Sequence, residues 1–129
     1  MKKTIGVVAA LLIATTLPAI GAGAANASGG GDDVIRRGSC SGSTEWKIKA
    51  KPDDGRIEVE SEIDSNHNGQ SWKWVLRHDG RVAARGSSTT HGPSGSFEVN
   101  RRTSNHAGKD SFRFRAVHAG EVCVARVSL

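Results

Sequence analysis

The sequence predicts an all-β domain, a two-sheet antiparallel sandwich of about seven strands stapled by one disulfide. Three observations carry this expectation. From Glu45 onward the apolar residues recur at every second position, the period of a half-buried strand and not of an amphipathic helix. Turn signals such as Asp54-Gly55 and Asp79-Gly80 punctuate the alternating runs. The composition, with 16 Gly and a single Met at position 1, suits a turn-rich β protein better than a helical bundle.

Of the 129 residues, 1–27 read as an export signal. Lys2 and Lys3 give a positive start, Ile5 to Leu17 is almost wholly apolar, Pro18 breaks the run, and Ala25-Asn26-Ala27 offers small residues for cleavage after Ala27. The apolar run falls short of the ~20 residues that a spanning helix needs, and no later stretch reaches that length. The mature protein is therefore expected to be secreted and to have no membrane span. Position 28 is Ser, which excludes the lipid-accepting Cys of a bacterial lipoprotein. Roughly 100 residues remain, room for one domain with a small core.

Residues 28–44 carry three consecutive glycines, two aspartates and two arginines, and are expected to be a flexible N-terminal segment preceding a domain at 45–129. Within the segment lies Cys40, which pairs with Cys123 in the simplest reading of two cysteines in an exported chain. Closing a loop of roughly 80 residues stabilises the fold by roughly 4 kcal/mol in the chain-entropy account. A catalytic thiol at Gly38-Ser39-Cys40-Ser41-Gly42 is disfavoured, because no strand precedes it to form a nucleophile elbow.

The first hairpin sets Trp46, Ile48 and Ala50 against Ile57, Val59 and Ile63, with a four-residue turn at Pro52 to Gly55 that pairs Lys51 with Arg56, Lys49 with Glu58 and Lys47 with Glu60. In the next strand Trp72, Trp74 and Leu76 point inward, and Lys73, Val75 and Arg77 outward. A three-residue loop, His78-Asp79-Gly80, then pairs Arg77 with Arg81. Ser87 to Gly95 reads as a polar loop, followed by a short strand around Phe97 and Val99 and a turn at Ser104 to Lys109. The last two strands place Phe112, Phe114 and Ala116 opposite Val127, Ala125 and Cys123 across a tip at Ala119-Gly120, so that Cys123 faces the core.

Trp72, the Asp79-Gly80 hairpin and Ala107-Gly108-Lys109-Asp110 leading into Phe112-Arg113-Phe114-Arg115-Ala116 together resemble an immunoglobulin-like domain over residues 45–129. Phe112 stands where a corner Tyr would sit, and Cys40 precedes the first strand of that alignment. More closely, Cys40 to Gly55, Trp72-Lys73-Trp74 and Gly120-Glu121-Val122-Cys123 are similar to small exported actinobacterial proteins of unassigned function. That resemblance implies a habitat and no activity.

The chain shows no G-x-S-x-G, no H-E-x-x-H and no phosphate-binding glycine loop, so no catalytic residues and no cofactor are assigned. Asp64-Ser65-Asn66-His67-Asn68-Gly69 matches the first half of a calcium loop, but Val75 stands where the bidentate acid belongs; a polar turn is the reading. His67, His78, His91, His106 and His118 fall on separate turns and strand ends without ligand spacing, so no metal site is assigned.

Charge distribution is the informative feature. Removing Lys2 and Lys3 leaves 16 basic residues against 13 acidic, a net of +3. On the first hairpin lysines and glutamates cancel across the strands. The outward positions of the other strands hold Lys73, Arg77, Arg81, Arg85, Arg113, Arg115 and Arg126 with no acid among them. If these strands share a sheet, as an immunoglobulin-like order implies, that face is a platform for an anionic polymer or an acidic protein surface. The expected function is a secreted, non-enzymatic binding module. The alternatives are a secreted protease inhibitor, with Gly86 to Gly95 protruding, and a small secreted enzyme.

Overall fold

The computed structural model describes residues 32–129, so the expected export signal at 1–27 and the first residues of the expected N-terminal segment lie outside it. The described residues form eight strands and no helix: β1 (Val34–Ser39), β2 (Glu45–Asp53), β3 (Arg56–Asp64), β4 (Ser71–His78), β5 (Arg81–Thr89), β6 (Ser96–Ser104), β7 (Ser111–His118) and β8 (Glu121–Ser128). They make two antiparallel sheets in the orders β1-β2-β3-β6 and β5-β4-β7-β8. The chain crosses between sheets three times, from β3 to β4, from β5 to β6 and from β6 to β7. Because β3 neighbours β6 and β4 neighbours β7, the β3–β4 and β6–β7 crossings run side by side.

Alternation alone explains the core. Ile48, Ala50, Ile57, Val59 and Ile63 face Trp72, Trp74, Leu76, Phe112 and Phe114, and all are buried. Trp74 stacks on Phe114 with centroids 5.5 Å apart. Each buried indole keeps a partner for its N–H: Trp74 Nε1 donates to Ser88 Oγ at 3.0 Å, and Trp72 Nε1 to Gln70 Oε1 at 3.3 Å. Trp72 and Trp74 are thus core residues, as their shared parity with Leu76 implies.

Three hairpins close on two-residue turns with both central residues at positive φ: Asp54 (48°) and Gly55 (75°), Asp79 (48°) and Gly80 (81°), Ala119 (45°) and Gly120 (82°). This turn matches the right-handed twist of the strands it joins, which is why it displaces longer loops. The β7–β8 register is as read from the sequence, with Ala116 opposite Cys123 and Phe112 opposite Val127. The β2–β3 register differs by two residues: Lys51 pairs with Glu58, Lys49 with Glu60 and Lys47 with Glu62. A slip of two preserves every face, so the hydrophobic pattern cannot choose between the registers and the turn does.

The expected flexible segment needs correction. Its residues Val34–Ser39 are β1, paired with β2 from Val34 opposite Ala50 to Ser39 opposite Glu45. The chain then turns from β1 toward the other sheet. Cys40 is joined to Cys123 of β8, and Ser41 bonds Val122 twice, its N–H donating to Val122 O and its Oγ accepting from Val122 N, both at 2.9 Å. Thr44 donates from its hydroxyl and its N–H to the Glu121 carboxylate. Residues 40–44 therefore strap one side of the sandwich shut.

Candidate functional site

All four strands that carry the expected basic face lie in one sheet, β5-β4-β7-β8. The registers arrange its outer side in rows: Ser87, Lys73, Val117 and Val122; then Arg85, Val75, Arg115 and Val124; then Val82, Arg77, Arg113 and Arg126. The third row sets three guanidinium-bearing residues side by side on consecutive strands, a like-charge ladder that costs stability. No Asp or Glu occurs in these rows. Among the described residues, the ion pairs between acids and Lys or Arg are on the side of the other sheet: Lys49 with Asp33 at 3.4 Å and with Glu60 at 3.9 Å, and Arg102 with Asp53 at 3.1 Å.

The seventh cation does not join this face. With Asp79-Gly80 as a two-residue turn, Arg81 pairs with His78 and Val82 with Arg77; Ala83 is then skipped in a bulge, and Ala84 pairs with Leu76. Cross-strand partners share a face, so Arg81 lies on the His78 side of the sheet and Val82 takes its expected place. Six cations remain. Lys73, Arg85, Arg115 and Arg126 are exposed, while Arg77 and Arg113 are half-buried. Arg77 Nη1 donates to Gly80 O at 3.2 Å, and Arg113 Nε is buried without a hydrogen-bond partner.

Two shallow concavities open on this surface. One, of about 460 Å³, is lined by Arg77, Gly80, Ser111, Arg113, Arg126 and Ser128 among others; the second, of about 330 Å³, includes Lys73, Val75, Arg85 and Arg115. Each presents several donors of one sign over a valine and methylene floor.

At the end of the same sheet the structure assembles a group that the sequence reading kept apart. Antiparallel pairing of β4 with β7 brings the last residue of β4, His78, beside the loop that enters β7. His78 Nε2 lies 2.6 Å from Asp110 Oδ1 and 3.6 Å from Asp79 Oδ2; His106 Nδ1 lies 2.6 Å from Asp79 Oδ2 and 3.8 Å from Asp110 Oδ1. The two imidazoles stack at 4.0 Å and 5°, and Phe112 packs against His78 with centroids 4.4 Å apart. Asp110 and His78 are buried, whereas His106 is about half exposed. The hydrogen bond from His106, followed by that from the Ser111 N–H, holds the Asp79 carboxyl below its ordinary range. Among the described residues the two imidazoles hydrogen-bond carboxylates and no Ser or Cys side chain.

Histidines 78 and 106 are 28 positions apart, which hid the cluster from any search for close ligand spacing. The signal was topological: His78-Asp79 ends one strand, and His106 to Asp110 leads into its antiparallel neighbour. Residues of two other sequence candidates carry local hydrogen bonds. Asp64 Oδ1 accepts the Asn66 N–H at 3.0 Å in a polar turn. Of the expected protruding loop, Gly86 to Thr89 belong to β5, and Thr90 is buried and bonded to Gln70 through N–H to O at 2.8 Å. No protein-family model, curated protein or solved structure is significantly similar to this chain.

Proposed function

We propose that the protein is a secreted, non-enzymatic binding module whose β5-β4-β7-β8 outer face engages an anionic partner outside the cell. The single observation that carries this reading is the Arg77, Arg113, Arg126 row, three like charges on adjacent strands without an acid on their face. A surface shaped only by stability would interleave charges, as the β2–β3 hairpin of the same molecule does with Lys49 and Glu60. Arginine forks spaced by strand separation meet phosphate or carboxylate oxygens along an extended polymer. The disulfide fits an oxidising compartment. The concavities are shallow, which suits a polymer laid across a face and not a small substrate enclosed in a cleft.

The test is retention on an immobilised anionic polymer, polyphosphate or duplex DNA, as salt is raised. Retention should fall steeply, since each neutralised phosphate releases counterions; for duplex DNA the log-log slope is about −0.9 per contact. Reversing Arg113 and Arg115 to Glu should abolish retention, while reversing Lys47 and Lys49 on the neutralised hairpin should leave most of it. Equal losses would assign binding to net charge, and no retention at low salt would overturn the reading.

A further inference from the structure

We propose that His78, Asp79, His106 and Asp110 form a binding site for one divalent transition-metal ion of the zinc type. The ligating atoms of the four side chains, two imidazole nitrogens and two carboxylate oxygens, all lie within 4.8 Å of one another. Four ligands each about 2.0 Å from a tetrahedral zinc stand about 3.3 Å apart. The four His-to-Asp separations here, 2.6, 2.6, 3.6 and 3.8 Å, bracket that spacing.

Charge points the same way. Asp110 is 2% exposed, and a buried carboxylate beside a second one requires compensation. A dication held among these side chains would offset both carboxylates. The imidazole donors select a transition metal over calcium or magnesium, and the lack of thiolate leaves a borderline nitrogen and oxygen set suited to zinc.

One movement is required. Rings stacked within 5° aim their nitrogens side by side, so the His106 ring must turn out of the stack to converge with His78 on one ion. His106 is free to do so: it sits on the β6–β7 loop, its side chain is 47% exposed, and its ring makes one hydrogen bond, to Asp79. The other three ligands are anchored. His78 ends β4 and packs on Phe112, the Asp79 main chain pairs with Ser111 through its N–H at 2.8 Å, and Asp110 exchanges two backbone bonds with Leu129.

Zn(II) titrated calorimetrically at pH 7 into the chelator-stripped chain should bind with one-to-one stoichiometry. His106→Ala and Asp79→Asn should each weaken binding by at least about tenfold. Both side chains are partly solvent-exposed, and Asn tolerates the positive φ of position 79, so both variants retain the fold. His91→Ala and His118→Ala should bind like the parent. In the parent chain, amide resonances should shift on Zn(II) addition around 78–80 and 105–111. No saturable binding, unchanged affinity in His106→Ala, displacement by equimolar Ca(II), or shifts centred elsewhere would each overturn the site.

Discussion

Trp46 lies across Gly38, its partner on the neighbouring strand, so closely that a Cβ on Gly38 would stand inside the indole's van der Waals surface. The arrangement recurs in the other sheet, where Gly86 faces Trp74 and a Cβ would come within 2.9 Å of Cζ2. In both pairs the small residue lets a large ring lie flat along the sheet. Gly38→Ala should therefore displace Trp46, cost about 1–3 kcal/mol as an overpacked site, and change tryptophan fluorescence. An unaltered urea midpoint would show that β1 simply moves away.

Ser61 occupies the middle of β3, facing the core between Ile48 and Val99, with its hydroxyl buried and without a partner. An unmatched buried hydroxyl costs more than it contributes. Ser61→Ala should raise stability by about 1 kcal/mol in chemical denaturation. A loss of stability would mean that the hydroxyl is satisfied within the core.

Arg126 faces Arg113 across β7 and β8, and Arg113 faces Arg77. Placing an acid at the end of that row relieves repulsion and supplies a cross-strand ion pair. Arg126→Glu should stabilise the fold by roughly 0.5 kcal/mol and at the same time weaken retention on an anionic polymer. Opposite signs for stability and binding separate a face kept for a partner from one kept for folding. Destabilisation by this substitution would count against the proposed face.

Parity was legible in the sequence, and pairing was not. The inward placement of Trp72, Trp74, Phe114 and Cys123 follows from alternation alone, because a strand with one buried face admits no other assignment. Registers were harder: a slip of two at Lys51 and Glu58 leaves the alternation intact, and the bulge at Ala83 lets a two-residue turn coexist with a buried Leu76. Strand β1 is not legible in the sequence, because it packs only Val34 partly against the core and is held by backbone pairing to β2, to which side-chain patterns are silent. Six of the seven expected cations share one face. Arg81 leaves it through the same bulge, which hydrophobic periodicity does not encode. The His78 and His106 cluster depends on which strand ends meet, information that enters only with sheet order.

Tension applied to the segments flanking the two cysteines would not be borne by the sandwich. It would pass along β1 to Cys40, across the sulfur–sulfur bond to Cys123, and out along the last residues of β8. The 83-residue separation between the cysteines would then be hidden from the applied force. β2 to β7 lie wholly within the shielded loop, so five of the six cations would keep their geometry under load, whereas Arg126 and Leu129, whose backbone bonds anchor Asp110, lie on the outer arm beyond Cys123. Only β1 and the end of β8 could peel, which would make the molecule nearly inextensible until its disulfide is reduced.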